Sequence, residues 1–256
     1  MEQQSSVQSL DRAFLLLDMV SRSPEGITLA EVVAQSGLHK STAYRLLAAL
    51  SELGYIRKEE GGRYRMTLKL FRIAGRAVDD LDLVKVAQPF LDRLNAETTE
   101  AVHLVVPEGS DIVYVRKVED SGFSVRMLSR IGARRAMYCT AVGKSLMARM
   151  SDEQVAALWA QSEIREYTPY TTTDLNTFLA DLAEIRRRGY AVDNEENELG
   201  VRCVAACVVD HRGVGVGALS VSAPLKRMDD ERMRQIAVRV CAAARELSIQ
   251  LGSREE

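Results

Sequence analysis

Hydrophobic positions recur at helical spacing in the first fifty residues. Leu10, Phe14, Leu17 and Met19-Val20 predict a helix from Val7 to about Ser21. Pro24 and Gly26 break it. Thr28, with Glu31 three residues on, has the form of a capping box, so a second helix should run to about Ser36. Gly37-Leu38 turns the chain into a third segment, GLHKSTAYRLLAAL (37–50), in which Leu46, Leu47 and Leu50 share one helical face before Gly54 ends it. Two extended arms, Tyr55–Lys58 and Arg63–Met66, flank Glu-Glu-Gly-Gly, where Gly61-Gly62 supply the positive φ of a tight hairpin. Three helices followed by a hairpin predict a winged helix-turn-helix over residues 1–66.

The segment TLKLFRIAGRAVDDL extends helical spacing into a connecting helix, 67–80, broken by Asp79-Asp80 and Asp82. A further helix carries Leu83, Val86, Phe90, Leu91 and Leu94, with Pro89 expected to kink it. The period then changes. AVHLVVP (101–107), DIVYVRKV (111–118) and FSVRML (123–128) are rich in β-branched residues and predict a meander. GKSLMARM, SDEQVAALWAQ and TDLNTFLADLAEIRRRG return to helical spacing, with Ser151-x-x-Gln154 and Thr173-x-x-Asn176 at the starts of the last two. Strands CVAACVVD (203–210) and VGVGALSVSA (214–223) and a helix from Asp229 to about Leu251 complete an α+β domain over 81–252.

Charge sharpens the first of these domains. The chain as a whole carries a net charge of only -2. Residues 1–37 set Arg12 and Arg22 against five acids, a net of -3, whereas residues 38–76 set nine basic residues against Glu52, Glu59 and Glu60, a net of +6. The face of the third helix opposite its leucines shows His39, Lys40, Ser41, Thr42, Tyr44 and Arg45, phosphate or base-edge partners without an acid among them. In a winged helix this face enters the major groove of double-stranded DNA, and Arg57, Lys58, Arg63 and Arg65 of the wing meet the flanking backbone. No apolar run approaches the roughly 18 residues of a membrane span, and the polar start MEQQSSVQSLDR is no secretory signal. Cys139, Cys203, Cys207 and Cys241 lack metal or CxxC spacing, which predicts reduced thiols in a cytoplasm.

Two stretches of the second domain can carry chemistry. YCTAVGKSLMARM (138–150) turns from an extended arm into a helix near Thr140–Gly143, and such a start offers backbone N–H groups to an anion. GYAVDNEENELGVRCVAACVVD (189–210) runs an acidic loop into an apolar strand. A catalytic reading makes Cys203 a nucleophile with Asp193, Glu195, Glu196 or Glu198 as acid and base, but a cysteine nucleophile needs a neighbouring base, usually histidine. His39 belongs to the DNA-reading segment, His211 to a turn, and His103 alternates with core residues on a strand, so no catalytic set is expected. Cys203 and Cys207 share a strand face roughly 13 Å apart, too far to hold one ion, so neither metal nor cofactor is expected. An oxidant-sensing role for these two thiols stays open as a second reading.

Gly189, Asp193, Glu196, Cys203 and the apolar strand ending at Asp210 follow the spacing of the C-terminal pattern of the IclR family of bacterial transcription regulators, which the chain resembles over essentially its full length. Val209 stands where the pattern usually has an aromatic residue. TLKLF (67–71), DIVYVRKV, RMLSRIG (126–132), YCTAVGK and DNEENELGVRC resemble the KdgR subgroup in particular. The resemblance implies a GAF-like effector-binding domain behind the winged helix and a regulator, a repressor in this subgroup, that binds a near-palindromic operator as a homodimer or dimer of dimers. It implies a small 2-keto acid effector such as 2-keto-3-deoxygluconate, held by Met127, Ala141, Val142, Gly143, Asp193, Val201, Cys203, Ser220 and Ser222.

Overall fold

The computed structural model describes residues 7–70, 72–73, 83–119 and 129–254. The chain divides into two compact units, Met1–Leu81 and Asp82–Glu256.

In the first unit, α1 (Gln8–Ser21), α2 (Leu29–Ser36) and α3 (Lys40–Glu52) surround a core of Leu16, Val20, Val32, Ala43, Leu47 and Leu50. Thr28 and Glu31 form the expected capping box: the Thr28 hydroxyl accepts from the Glu31 N–H, and the Glu31 carboxylate accepts from the Thr28 N–H at 2.7 Å. Gly37 ends α2 at φ 68°, a left-handed position that glycine adopts without strain. The wing strands are β2 (Ile56–Lys58) and β3 (Arg63–Met66), closed by Gly61 and Gly62 at φ 92° and 76°. A two-residue strand, β1 (Ile27–Thr28), pairs antiparallel with β3 and makes the sheet three-stranded. Sequence periodicity did not reveal it, because two residues carry no alternation. Of the expected connecting helix, residues 69–70 and 72–73 are helical and most of the remainder lies outside the described residues.

The second unit is built on a six-stranded antiparallel sheet of order β6-β5-β4-β9-β8-β7. Its strands are β4 (Ala101–Glu108), β5 (Asp111–Val118), β6 (Arg134–Ala136), β7 (Ala191–Asn194), β8 (Val201–Val209) and β9 (Gly215–Pro224). The short β6 and β7 add the two sheet edges, and the expected strand at 123–128 lies outside the described residues. Successive side chains of β4, β8 and β9 point to opposite faces. Val102, Leu104, Val204, Val208, Leu219 and Val221 pack under α4 (Leu83–Thr98) and the terminal helix α8 (Asp230–Gln250). The other face meets α5 (Ala141–Met147), with α6 (Asp152–Gln161) and α7 (Leu175–Arg188) outside it. Ser151 and Gln154 cap α6 reciprocally as their spacing predicts. The N-cap of α7 is Asp174 rather than Thr173: its carboxylate accepts from the Thr177 N–H at 2.8 Å, and an acidic group is favoured at the positive end of the helix.

Candidate functional sites

Helix α3 buries Ala43, Leu47 and Leu50 and exposes Lys40, Ser41, Tyr44 and Arg45, with Thr42 and Leu46 half-buried at the margins. His39 occupies the N-cap, exposed, and its ring caps nothing. Among the described residues, no hydrogen bond or ion pair engages the side chains of Lys40, Ser41, Thr42, Tyr44 or Arg45. A row of donors with no internal partner is available to an external one.

The wing differs. Arg57 and Arg65 lie directly opposite each other across β2 and β3, an unfavourable like-charge pair on its own. Glu59 sits between them, 2.9 Å from Arg57 Nη2 and 3.0 Å from Arg65 Nε. Arg65 also donates to Glu25 at 3.0 Å. Arg63 donates to the Gly26 carbonyl at 2.7 Å, with Glu31 3.6 Å away. Lys58 lies over the Tyr64 ring, 5.8 Å from its centroid. The basic wing residues therefore come with local partners, which charge counting along the sequence does not reveal.

In the second unit the β-sheet register collects most of the implied effector residues on one face. One row across the sheet runs Asp193, Cys203, Ser222, Ala101, and the next runs Ala191, Ala205, Ser220, His103. Val201 begins β8 on the same face as Cys203, and both are packed with Ala101. Met127 lies outside the described residues. Ser220, Ser222, Asp193 and His103 are all buried. The His103 ring spans the row: Nε2 is 2.9 Å from the Ser129 hydroxyl and Nδ1 is 3.4 Å from Ser220 Oγ. Burial, helped by the nearby Lys117 charge, drops its pKa to about 3, so the ring is neutral and has one donor and one acceptor nitrogen. The edge of Tyr114 meets the imidazole with centroids 5.4 Å apart. His103 shares the parity of Val105 on β4, so its alternation with core residues is legible in the sequence while its contacts with Ser129 and Ser220 are not.

Facing this row, Thr140 caps α5, and its hydroxyl accepts from the Gly143 N–H at 3.2 Å. Gly143 thus cannot offer that N–H to an effector, which leaves Ala141 and Val142 as the backbone donors of the expected anion site. Gly143 has another task. A Cβ there would stand 2.3 Å from the backbone of Met137, so the absence of a side chain lets α5 press against the arm that precedes it.

Beside the row lies a buried charge cluster. Lys144, only 2% exposed, donates to Glu196 at 2.6 Å and to Asp181 at 2.9 Å. Burial alone would depress the ammonium pKa, but the two carboxylates more than reverse it. Glu196 has its pKa raised by burial, only partly offset by Lys144, and its second oxygen, Oε2, is buried without a hydrogen-bond partner among the described residues. Asp193 accepts from the N–H groups of Glu196 and Asn197 at 2.7 and 3.3 Å, closing the turn in which Glu195 takes φ 65°. Its own pKa is pushed up to about 7 by burial and by the charge of Glu196, against the pull of Lys144. Cys203 is driven the same way: burial and the Asp193 charge hold its thiol well above the ordinary range, with the Ser222 hydroxyl opposing. Reactive thiolates need the reverse environment. No spacing rule marks Lys144, because it lies within a mostly apolar helix and its partners stand 37 and 52 residues away.

A winged helix with an exposed basic reading helix, carried in one chain with a sheet domain that gathers polar side chains under a helix start, defines a DNA-binding transcription regulator. The sequence profiles agree: residues 9–60 match the "IclR helix-turn-helix domain" and residues 75–249 the domain described as "Bacterial transcriptional regulator IclR C-terminal". The chain is 36% identical over 252 residues to the HTH-type transcriptional regulator KdgR of Escherichia coli K12, covering 98% of this chain and 95% of that one. It is 32% identical over 249 residues to the transcriptional repressor IclR of the same organism, covering 96% and 90% of the two. Among solved structures, the Agrobacterium tumefaciens repressor BlcR has a similar fold, with a TM-score of 0.79 at 28% identity over 98% of this chain and 100% of that one. The chain belongs to the IclR family of transcription regulators. It is a regulator rather than an enzyme, which removes the cysteine-nucleophile reading. None of the described helices is long and apolar enough to cross a membrane.

Proposed function

We propose that this regulator represses genes of sugar-acid catabolism and leaves its operator when a small 2-keto acid, such as 2-keto-3-deoxygluconate, occupies the sheet face below α5. The observation that carries the DNA half is the unpartnered row Lys40, Ser41, Thr42, Tyr44 and Arg45 on α3. The effector half rests on the convergence of Asp193, Cys203, Ser220 and Ser222 on one face, with the N–H groups of Ala141 and Val142 opposite. The amide dipoles there favour a carboxylate, and the serine hydroxyls and Asp193 can bond the hydroxyls of a sugar acid. The narrower resemblance and the identity to KdgR support the effector class. A dimer reading two half-sites in successive turns of a near-palindrome fits the geometry of a winged helix-turn-helix, and a dimer of dimers extends it.

Fluorescence anisotropy on the DNA upstream of its own gene tests both halves, with and without 2-keto-3-deoxygluconate. The expected result is tight, salt-sensitive binding that the ligand releases. Arg45→Ala should weaken operator binding by about 1–3 kcal/mol with ligand affinity unchanged. Binding that ignores the ligand would discard this effector, and an Arg45→Ala variant as tight as the parent would discard the reading face.

A further inference from the structure

At the opposite end of α5 from the candidate effector face, four arginines from three helical regions line one cavity of about 340 Å³. Arg149 follows α5, Arg186 and Arg188 close α7, and Arg245 stands near the end of α8. Among the described residues, no Asp or Glu lines it. Arg186 is committed to the fold: it donates to the carbonyls of Ala148 and Met150 and pairs with Asp152 at 2.8 Å. Arg188 is fixed by donation from Nε to the Tyr190 carbonyl at 2.7 Å and by stacking on the Tyr190 ring, which leaves its terminal nitrogens without a partner among the described residues. Arg245 has no hydrogen bond or ion pair among the described residues. The nearest acids in sequence are engaged elsewhere, Glu246 with Arg93 and Glu184 with Arg187.

Two cations beyond the Asp152-paired one, Arg188 and Arg245, therefore converge with no carboxylate of the described residues in the cavity wall. The floor is apolar: Ile185, Ala206 and Ala244, with the thiols of Cys207 and Cys241 beside them. A cationic rim over an apolar floor suits a ligand with a short carbon skeleton and two anionic ends. Guanidinium forks match phosphate oxygens in pairs. We propose that this cavity is a second small-molecule site, distinct from the effector face, that binds a small organic phosphate also bearing a carboxylate. The site does not depend on the sugar-acid reading, since it shares none of the residues assigned to that effector.

Isothermal titration of the full chain with 3-phosphoglycerate tests this, with unphosphorylated glycerate and inorganic phosphate as separate arms. We expect one saturable 3-phosphoglycerate site per chain, weaker binding of inorganic phosphate at that site, and none of glycerate. The double variant Arg188→Gln/Arg245→Gln should lose at least roughly tenfold in affinity with an unchanged circular dichroism spectrum, because two charge-assisted contacts are removed. Asp193→Ala should bind 3-phosphoglycerate as the parent does. Absence of saturable binding in the parent overturns the proposal. So does affinity that survives in the double variant, or that Asp193→Ala abolishes, since that would put the ligand on the effector face.

Discussion

Arg45 and Lys144 are both basic side chains on helices, one in each unit, and the protein treats them oppositely. Arg45 stands in solvent with no partner among the described residues, on a face whose reverse side carries the leucines of the core. Its charge costs the fold nothing and is available to another molecule. Lys144 is buried in a helix every residue of which is buried, and two carboxylates hold it. Its charge is spent inside the fold and binds α5 to α7 and to the β7–β8 turn. The difference teaches where function and stability part. A charge exposed without partners is open to another molecule at little cost to the fold, whereas a buried paired charge is costly to disturb and stabilises only while the pair is whole.

The contrast is sharpest where the pair is broken. Lys144→Met should lower the stability of the second unit by roughly 3–5 kcal/mol, since it strands Glu196 and Asp181 without their counter-charge. Urea denaturation followed by circular dichroism measures it; a loss comparable to that of a surface substitution would mean that the cluster is solvated. Gly143→Ala ranks next, at about 1–3 kcal/mol, because the new Cβ must displace the Met137 backbone rather than a mobile side chain. If it is neutral, α5 has room to retreat and the candidate effector face is looser than its packing indicates.

Asp193→Asn probes the same cluster through pH. The folded Asp193 value near 7 lies above an unfolded value of about 3.9, so the folded chain holds the proton more firmly. This group therefore favours folding below about pH 4, and that advantage is lost as pH rises through 7. Asparagine keeps the acceptor for the Glu196 N–H but cannot ionise. The variant should show a flatter loss of unfolding free energy between pH 5 and pH 8, by roughly 2–3 kcal/mol. Parallel curves for variant and parent would show that Asp193 stays ionised in the fold.

Much of this arrangement can be read in the sequence, and the rest is hidden for identifiable reasons. Local signals carry through: Thr28 with Glu31, Ser151 with Gln154, and the alternation of β8 and β9 that puts Cys203, Ser220 and Ser222 on one face. Strands β6 and β7 are too short to show a period, and their stability comes from pairing with β5 and β8. The α7 cap shifts by one residue because Thr173 and Asp174 are both good caps and only tertiary placement chooses between them. Lys144 and the Thr140–Gly143 bond depend on contacts or on donor accounting that no spacing rule encodes. The wing is the subtler case. Its arginines are legible as charge, while their pairing with Glu59, Glu25 and Glu31 is not.

That pairing yields the smallest expected effect and the most direct test of the opening contrast. Exposed ion pairs contribute about 0–1 kcal/mol, so the Arg57–Glu59 pair should yield to a phosphate that competes for the same guanidinium. Glu59→Gln removes the acid between Arg57 and Arg65 and leaves two like charges opposite each other on β2 and β3. Stability should fall by no more than about 0.5 kcal/mol. Operator affinity should rise, and the slope of log affinity against log salt should steepen by about 0.9 for each further phosphate contacted. Arg57 and Arg65 would then belong with Arg45 as charges held ready for DNA. An unchanged affinity and slope would place them with Lys144 instead, as charges the fold keeps for itself.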